Sequence, residues 1–227
     1  MPGLGVECLM LRNFRNGQMP VARSSRRAVP VRKAAAWAIL VCASALATSA
    51  KAEQTLDGAT LSRLKAGEAI VDVRPDPDGA TGLISAIIDI AAPPARVWAV
   101  MLDCEHSMRA VAALKSCRII EQGADGRYDI REHVVQWLWP LPEVRSVFRS
   151  DYQPVERIRF QRIGGDLALL EGEWRLAPMR GGQATRLFYR ARITPGWPVP
   201  DSMARAAIEA DVPNTLKALR TEATGHE

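Results

Sequence analysis

The pattern of apolar and polar positions is clearest between residues 87 and 102. Apolar residues first alternate with polar ones, which is the period of a half-buried strand. Pro93 and Pro94 then end the strand and suit the first turn of a helix. The apolar residues after them recur at helical spacing, at Val97, Trp98, Met101 and Leu102. The segment therefore predicts a strand that leads directly into a helix.

Strand-like runs separated by turn residues fill the middle of the chain. We predict strands over 117–121, 128–139, 144–152, 157–163, 167–176 and 185–194. Their connections are short, and short connections pair strands antiparallel because parallel pairing needs a long crossover. The last segment, residues 202–223, predicts an amphipathic helix that starts at an Asp201 N-cap and is kinked by Pro213. This order predicts an α+β fold in which a curved antiparallel sheet of about seven strands wraps around the C-terminal helix and encloses a cavity.

The first 52 residues have the pattern of an export signal. Basic residues precede an apolar run at 34–47, and Ala50-Lys51-Ala52 supplies the small residues that signal peptidase requires. We expect cleavage after Ala52 and a periplasmic or secreted mature protein. A retained membrane anchor is the alternative, but this apolar run is shorter than the roughly 20 residues that span a bilayer.

The positive charge of the chain is concentrated in this leader. The whole chain has a net charge of +5. Eight of its 30 Lys and Arg residues and one of its 25 Asp and Glu residues lie before Glu53, which leaves 22 basic and 24 acidic residues. The mature protein is therefore slightly acidic, and nucleic acid is not expected as a partner.

The mature chain divides into an extension and one domain. Residues 53–82 form the N-terminal extension, with a helix predicted over 60–65 and a strand over 68–74. Residues 83–223 form the domain that contains the sheet and the last helix, because no repeat or low-complexity linker interrupts them.

Two cysteines, Cys104 and Cys117, follow the leader. Export exposes them to an oxidising compartment, where a disulfide closing a loop of about 14 residues would add about 3 kcal/mol. Two free thiols are the alternative, since spacing alone does not establish the geometry of a bridge. The three histidines show no spacing typical of a metal site, and we predict neither a metal nor a cofactor.

Several short motifs resemble the helix-grip superfamily, which includes START lipid-transfer domains, polyketide cyclase/dehydrases and coenzyme Q-binding proteins. The matching segments are 90–98, 102–103, 115–118, 172–176, 185–189 and 216–220. The resemblance implies a helix-grip fold over residues 83–223 that binds a hydrophobic ligand between the sheet and the last helix. Some members of the superfamily catalyse ring closure. The chain departs from related sequences at 105–110, which is polar where an aromatic residue and a proline are common.

The candidate ligand-binding residues come from two strands and the last helix. They are Trp137, Trp139, Leu187, Tyr189, Ala191, Met203, Ala207 and Ala210. Trp137 and Trp139 lie two apart on one strand, so both rings face the same side of the sheet and would form an aromatic wall or simply pack into the core. The hydroxyl of Tyr189 would orient the single polar group of a ligand, or be satisfied within the core. Ala207 and Ala210 would leave room for the ligand.

Candidate proton-transfer groups are few. Glu132 and His133 are adjacent on a strand and point to opposite faces, so only one of them can face the cavity. Glu171 and Glu173 share a face that we predict to be the outer one, where they pair with arginines of the last strand. No nucleophile elbow or phosphate-binding glycine loop occurs.

Three functions are compatible with these features. The first is an exported protein that binds and transports a lipid, a sterol-like or a polyketide-like molecule, with transient membrane contact for ligand exchange. The second is an aromatase/cyclase- or dehydrase-type enzyme that uses Tyr189 with either Glu132 or His133. The third is an envelope interaction module whose own side chains fill the cavity.

Overall fold

The computed structural model describes residues 56–136 and 143–225. The helices are α1 (Gly58–Lys65), α2 (Pro94–Leu102), α3 (Cys104–Ala110) and α4 (Asp201–Thr224). The strands are β1 (Ile70–Arg74), β2 (Gly82–Ile90), β3 (Leu114–Gln122), β4 (Tyr128–Val135), β5 (Val144–Gln153), β6 (Arg157–Gly165), β7 (Leu167–Met179) and β8 (Ala184–Pro195). Among the described residues, no helix is both long enough and apolar enough to cross a membrane.

The strands form one antiparallel sheet that curves around α4. Their order is β1-β2-β8-β7-β6-β5-β4-β3, and every neighbouring pair is antiparallel. The predicted α+β helix-grip fold is confirmed. The extension adds β1 to the edge of the sheet beside β2, which makes eight strands instead of the predicted seven.

The strand-to-helix unit that the sequence predicts is present as β2 and α2. Alternate residues of β2 are buried, from Gly82 to Ile90. Pro94 occupies the start of α2, where its missing N–H breaks no helical hydrogen bond. The hydroxyl of Thr185 in β8 donates to the carbonyl oxygen of Ala92 at 2.7 Å, and this buried bond fixes the start of α2 against the sheet.

The concave face of the sheet is solidly packed where it meets α2 and the C-terminal half of α4. Ile88, Ile90, Val97 and Leu187 are fully buried here, and Leu216 of α4 is 1% exposed. Burying each of these side chains contributes about 1.5 to 3 kcal/mol. This end of the fold therefore holds the helix on the sheet and leaves no room for a ligand.

The outer face of the sheet carries paired charges. Glu171 of β7 lies 2.8 Å from Arg192 of β8, as the sequence predicts for an outer glutamate and a last-strand arginine. Glu173, two residues along β7, lies 3.8 Å from Arg157 and 3.7 Å from Arg159 of β6. These partly exposed pairs stabilise the fold weakly.

The sulfurs of Cys104 and Cys117 are bonded, with their Cα atoms 5.4 Å apart. The bridge joins the first residue of α3 to β3. Arg109 of α3 also donates three hydrogen bonds to the carboxylate of Glu222 near the end of α4. α3 is therefore fixed to the edge of the sheet on one side and to the C-terminal helix on the other.

The C-terminal helix differs from its prediction at its start. Asp201 is the first helical residue, and Pro200 occupies the N-cap position. The carboxylate of Asp201 accepts a hydrogen bond from the hydroxyl of Thr81 at 3.0 Å, so it links the helix start to the residue before β2. The helix continues past Pro213 to Thr224.

Candidate functional site

A row of five aromatic rings crosses the concave face opposite the N-terminal half of α4. Its members are His133 of β4, Phe148 of β5, Phe160 of β6, Tyr189 of β8 and Trp174 of β7. Consecutive ring centroids along this order are 4.9, 6.3, 6.2 and 4.0 Å apart. All of these rings except Phe160 are half-buried rather than fully buried. The aromatic row therefore presents apolar surface that the fold does not cover completely.

Glycine at position 172 makes room for this row. A Cβ atom at Gly172 would lie 2.6 Å from the tip of the Phe160 ring, too close for two carbon atoms. Gly172 pairs with Phe160 on one side and with Ala191 on the other. Two small residues beside the ring thus let Phe160 lie against the sheet.

The three predicted residues of β8 all point toward α4, but they have different surroundings. Leu187 is fully buried in the solid core, so it supports the sheet instead of lining a cavity. Ala191 is 2% exposed and packs beneath Phe160. Tyr189 is half-buried, and its hydroxyl has no hydrogen-bond partner among the described residues. Burial raises the pKa of this hydroxyl above its ordinary value.

The prediction that Met203, Ala207 and Ala210 line the cavity is wrong. Met203 is 63% exposed, and both alanines are also exposed. An α-helix turns by about 100° per residue, so Ala210 lies about 160° around the axis from Ile208, which packs against the sheet. The residues of α4 that pack against the sheet are Ile208, Val212, Leu216 and Leu219.

Trp137 and Trp139 lie outside the described residues. Their role as an aromatic wall stays a prediction.

A buried ion pair, which the sequence analysis missed, lies on the same face of the sheet. Arg131 and Asp129 of β4 are 5% and 1% exposed, and their side chains meet at 2.7 Å. The guanidinium of Arg131 also donates to the carbonyl oxygen of Leu102 at 2.7 Å and lies 3.3 Å from the hydroxyl of Tyr152. The pair therefore joins β4 to the end of α2. In the sequence, Asp129, Arg131 and His133 are each two residues apart, and this spacing places all three side chains on one face of β4.

The structure decides which of the two proton-transfer candidates faces inward. Glu132 points outward and forms ion pairs with Arg118 and Arg145, which hold the pKa of its carboxyl below the usual value. His133 points inward, and its Nε2 atom is buried without a partner among the described residues. Burial, with the nearby charge of Arg131, lowers the pKa of His133 to about 4, so the ring is neutral at pH 7.

This pKa gives a testable dependence of stability on pH. In the unfolded chain His133 has an ordinary pKa of about 6.5, so it takes up a proton as the pH falls while the folded chain stays neutral until about pH 4. The free energy of unfolding should therefore decrease between about pH 6.5 and 4, by up to about 3 kcal/mol. Urea unfolding of wild type and of His133→Gln across this range isolates the contribution, because the variant should show a flatter profile. Parallel profiles would contradict the assignment.

A surface depression lies on the other side of the sheet. It is an open volume of about 550 Å³ lined mostly by outward-facing charged side chains of β5 to β8, such as Asp151, Arg159, Glu171, Glu173 and Arg192. Because most of its lining side chains are charged, it suits an apolar ligand poorly, and we place the candidate site at the aromatic row. Within the described ranges, no three His, Cys, Asp or Glu side chains are grouped so that they could hold a metal ion.

Solved structures of other proteins have a fold similar to the arrangement of helices and strands described above. A STAR-related lipid transfer protein from Xanthomonas axonopodis has 17% identity and a TM-score of 0.60 over 69% of this chain and 94% of its own. A START superfamily protein from Mycobacterium smegmatis has 18% identity and a TM-score of 0.56 over 64% and 99%. The Zhui aromatase/cyclase from Streptomyces sp. R1128 has 19% identity and a TM-score of 0.51 over 63% and 91%. At these identities the likeness establishes the fold alone.

The family is established by sequence. No curated protein is significantly similar to this chain. A family model described as "Polyketide cyclase / dehydrase and lipid transport" matches residues 90–220, which is more than half of the chain. The matched segment runs from the end of β2 through α4 and includes the whole aromatic row. The resemblance to the helix-grip superfamily is confirmed, and the chain belongs to the polyketide cyclase/dehydrase and lipid transport family.

Proposed function

We propose that this chain is an exported protein that binds and carries a hydrophobic molecule between the concave face of the sheet and the N-terminal half of α4. The ligand is a lipid, a sterol-like or a polyketide-like molecule. The observation that carries the proposal is the half-buried aromatic row with the unpartnered hydroxyl of Tyr189 next to its last ring, Trp174. Covering apolar surface stabilises a complex by about 25 cal/mol per Å².

The two halves of α4 have different roles in this proposal. The C-terminal half is fixed by the solid core around Leu216 and by the contact of Glu222 with α3. In the N-terminal half, Ile208 packs against the cluster that contains Phe160. The other residues at 201–211 are small or polar except for the exposed Met203. A ligand can therefore enter beside this half without disturbing the packing that holds the fold together.

Carriage fits the polar groups of the site better than catalysis does. Glu132 is on the outer face, and Asp129 is neutralised by Arg131. The raised pKa of Tyr189 makes its hydroxyl a weaker proton donor, although it can still donate a hydrogen bond to a ligand. A cyclase or dehydrase that used Tyr189 with Glu132 is not favoured, because the two side chains lie on opposite faces of the sheet. His133 shares a face with Tyr189, but the rings of Phe148 and Phe160 lie between the two in the aromatic row.

The proposal also includes export of the protein and its transient contact with a membrane. The basic, apolar and small-residue segments before Glu53 support delivery across the inner membrane and cleavage after Ala52. A molecule that is carried because it is poorly soluble in water must be collected from a membrane or delivered to one. We therefore expect transient contact with a membrane during ligand exchange.

Native mass spectrometry of the protein purified from the periplasm of the cells that make it tests export and binding together. We expect an intact chain that begins at Glu53 and carries a co-purified apolar molecule. Ile208→Trp should remove at least about nine-tenths of this adduct, because the added ring occupies the space beside the aromatic row.

Ala207→Trp is the matched control, since Ala207 is adjacent but exposed. It should keep the adduct at the wild-type level. A chain that retains the first 52 residues would contradict export. Absence of any apolar adduct, or equal adducts in both tryptophan variants, would contradict binding at the proposed site.

A further inference from the structure

A carboxylate on α4 lies beside the candidate ligand site and is not used by the fold. Asp211 is three residues after Ile208 and precedes Val212, and both of these side chains pack against the concave face. Residues three apart on a helix are neighbours on its surface, so Asp211 lies at the edge of the sheet-facing side. It is half-buried. No hydrogen bond or ion pair joins it to any other residue in the described part of the chain.

Tyr189 shares its neighbours with the α4 residues on either side of Asp211. Its ring packs against the core cluster that Val212 contacts and against the cluster that Ile208 contacts. The hydroxyl of Tyr189 and the carboxylate of Asp211 both lack partners among the described residues, and neither is fully covered by protein. Both groups are therefore available to a bound molecule.

The carboxylate is in an unfavourable environment where it stands. Its partial burial raises the pKa of Asp211, and no neighbouring cation offsets this effect. Other inward carboxylates of the fold have partners, as Asp129 has Arg131. A hydrogen-bond donor on a bound molecule would supply what Asp211 lacks, because a desolvated carboxylate gains from each donor that it accepts.

We propose that Asp211 and Tyr189 together bind one hydroxyl group of the hydrophobic ligand. The ligand hydroxyl donates its hydrogen to the carboxylate of Asp211, and its oxygen accepts from the phenol of Tyr189. The ligand class is therefore an apolar alcohol, whereas a carboxylic acid would bring a second negative charge beside Asp211. This inference rests on the proposed ligand-binding function and names the polar group of that ligand.

Three probes with one carbon skeleton test the inference: tetradecanol, its methyl ether and tetradecanoic acid. Each is titrated at pH 7 against purified wild-type protein loaded with a fluorescent apolar dye, and displacement gives its Kd. The ether keeps the oxygen but has no hydrogen to donate to Asp211. The alcohol should bind about tenfold more tightly than either the ether or the acid.

The ratio of the ether Kd to the alcohol Kd is the readout for the variants. Asp211→Leu should reduce this ratio to about one, and Tyr189→Phe should reduce alcohol affinity with a smaller change in the ratio. Glu209→Leu is the matched control, because Glu209 is a carboxylate two residues away on the exposed face. It should leave the ratio as in wild type. Thermal unfolding checks that each variant is folded.

Two failures can be told apart. If wild type binds the ether as tightly as the alcohol, or binds the acid most tightly, the hydroxyl site is wrong while ligand binding stands. If Asp211→Leu leaves the ratio of the ether Kd to the alcohol Kd unchanged, the hydroxyl site is also wrong while ligand binding stands. If none of the three probes displaces the dye and the dye itself binds equally to Ile208→Trp, both the proposed function and this inference are overturned.

Discussion

Replacing Asp129 with asparagine is expected to lower the free energy of unfolding by about 3 to 5 kcal/mol. The substitution keeps the shape of the side chain but removes its charge, so the guanidinium of Arg131 stays buried without a counter-ion. Arg131 is 5% exposed and cannot turn to solvent without breaking its bonds to Leu102 and Tyr152. Urea unfolding at pH 7, followed by tryptophan fluorescence, measures the loss.

Two further variants define the origin of this loss. Asp151→Asn removes an exposed carboxylate of β5 that pairs with Arg149 at the surface, and it should change stability by less than about 1 kcal/mol. The double replacement of Asp129 by leucine and Arg131 by methionine should recover much of the stability, because it leaves no unpaired charge in the interior. A loss below about 1 kcal/mol for Asp129→Asn would mean that water or another group compensates Arg131.

The sequence predicts the sheet well because alternation and short turns leave few choices. β2 alternates over nine residues, and the proline pair after it fixes where α2 begins. In β7 and β8 one face is apolar and the other is charged, so Tyr189 could be placed inward and Glu171 outward from the pattern alone. The outer pairing of Glu171 with Arg192 follows from the register of these strands.

The same reasoning fails where polarity does not distinguish the faces. β4 carries charged or polar residues on both sides, so the sequence does not reveal that Asp129, Arg131 and His133 point inward. In α4, alanines are compatible with either face, and the position of Leu216 decides which face is buried. Asp211 was overlooked because a charged residue on an amphipathic helix normally faces solvent. The sequence analysis therefore missed two polar features beside the site: Asp211 on α4 and the pair of Asp129 and Arg131 on β4.

Removing the Cys104–Cys117 bridge has the second largest expected effect. The double variant Cys104→Ser with Cys117→Ser should be less stable by about 3 kcal/mol, because the bridge limits the conformations of a loop of about 14 residues in the unfolded chain. α3 lies inside this loop and connects to α4 through Arg109 and Glu222, so its attachment should loosen as well. Hydrogen exchange of the α3 amides would report this loosening.

Wild-type protein reduced with a phosphine is the control for the substitution itself. It should unfold at the same urea concentration as the double serine variant, since both lack the cross-link while only one carries serines. Hydrogen exchange in the solid core around Leu216 reports overall stability, so it should become faster to the same extent in the reduced protein and in the double serine variant. Equal stability of the oxidised and reduced wild type would contradict the prediction, because α3 would then be held entirely by its contacts with α4 and β3.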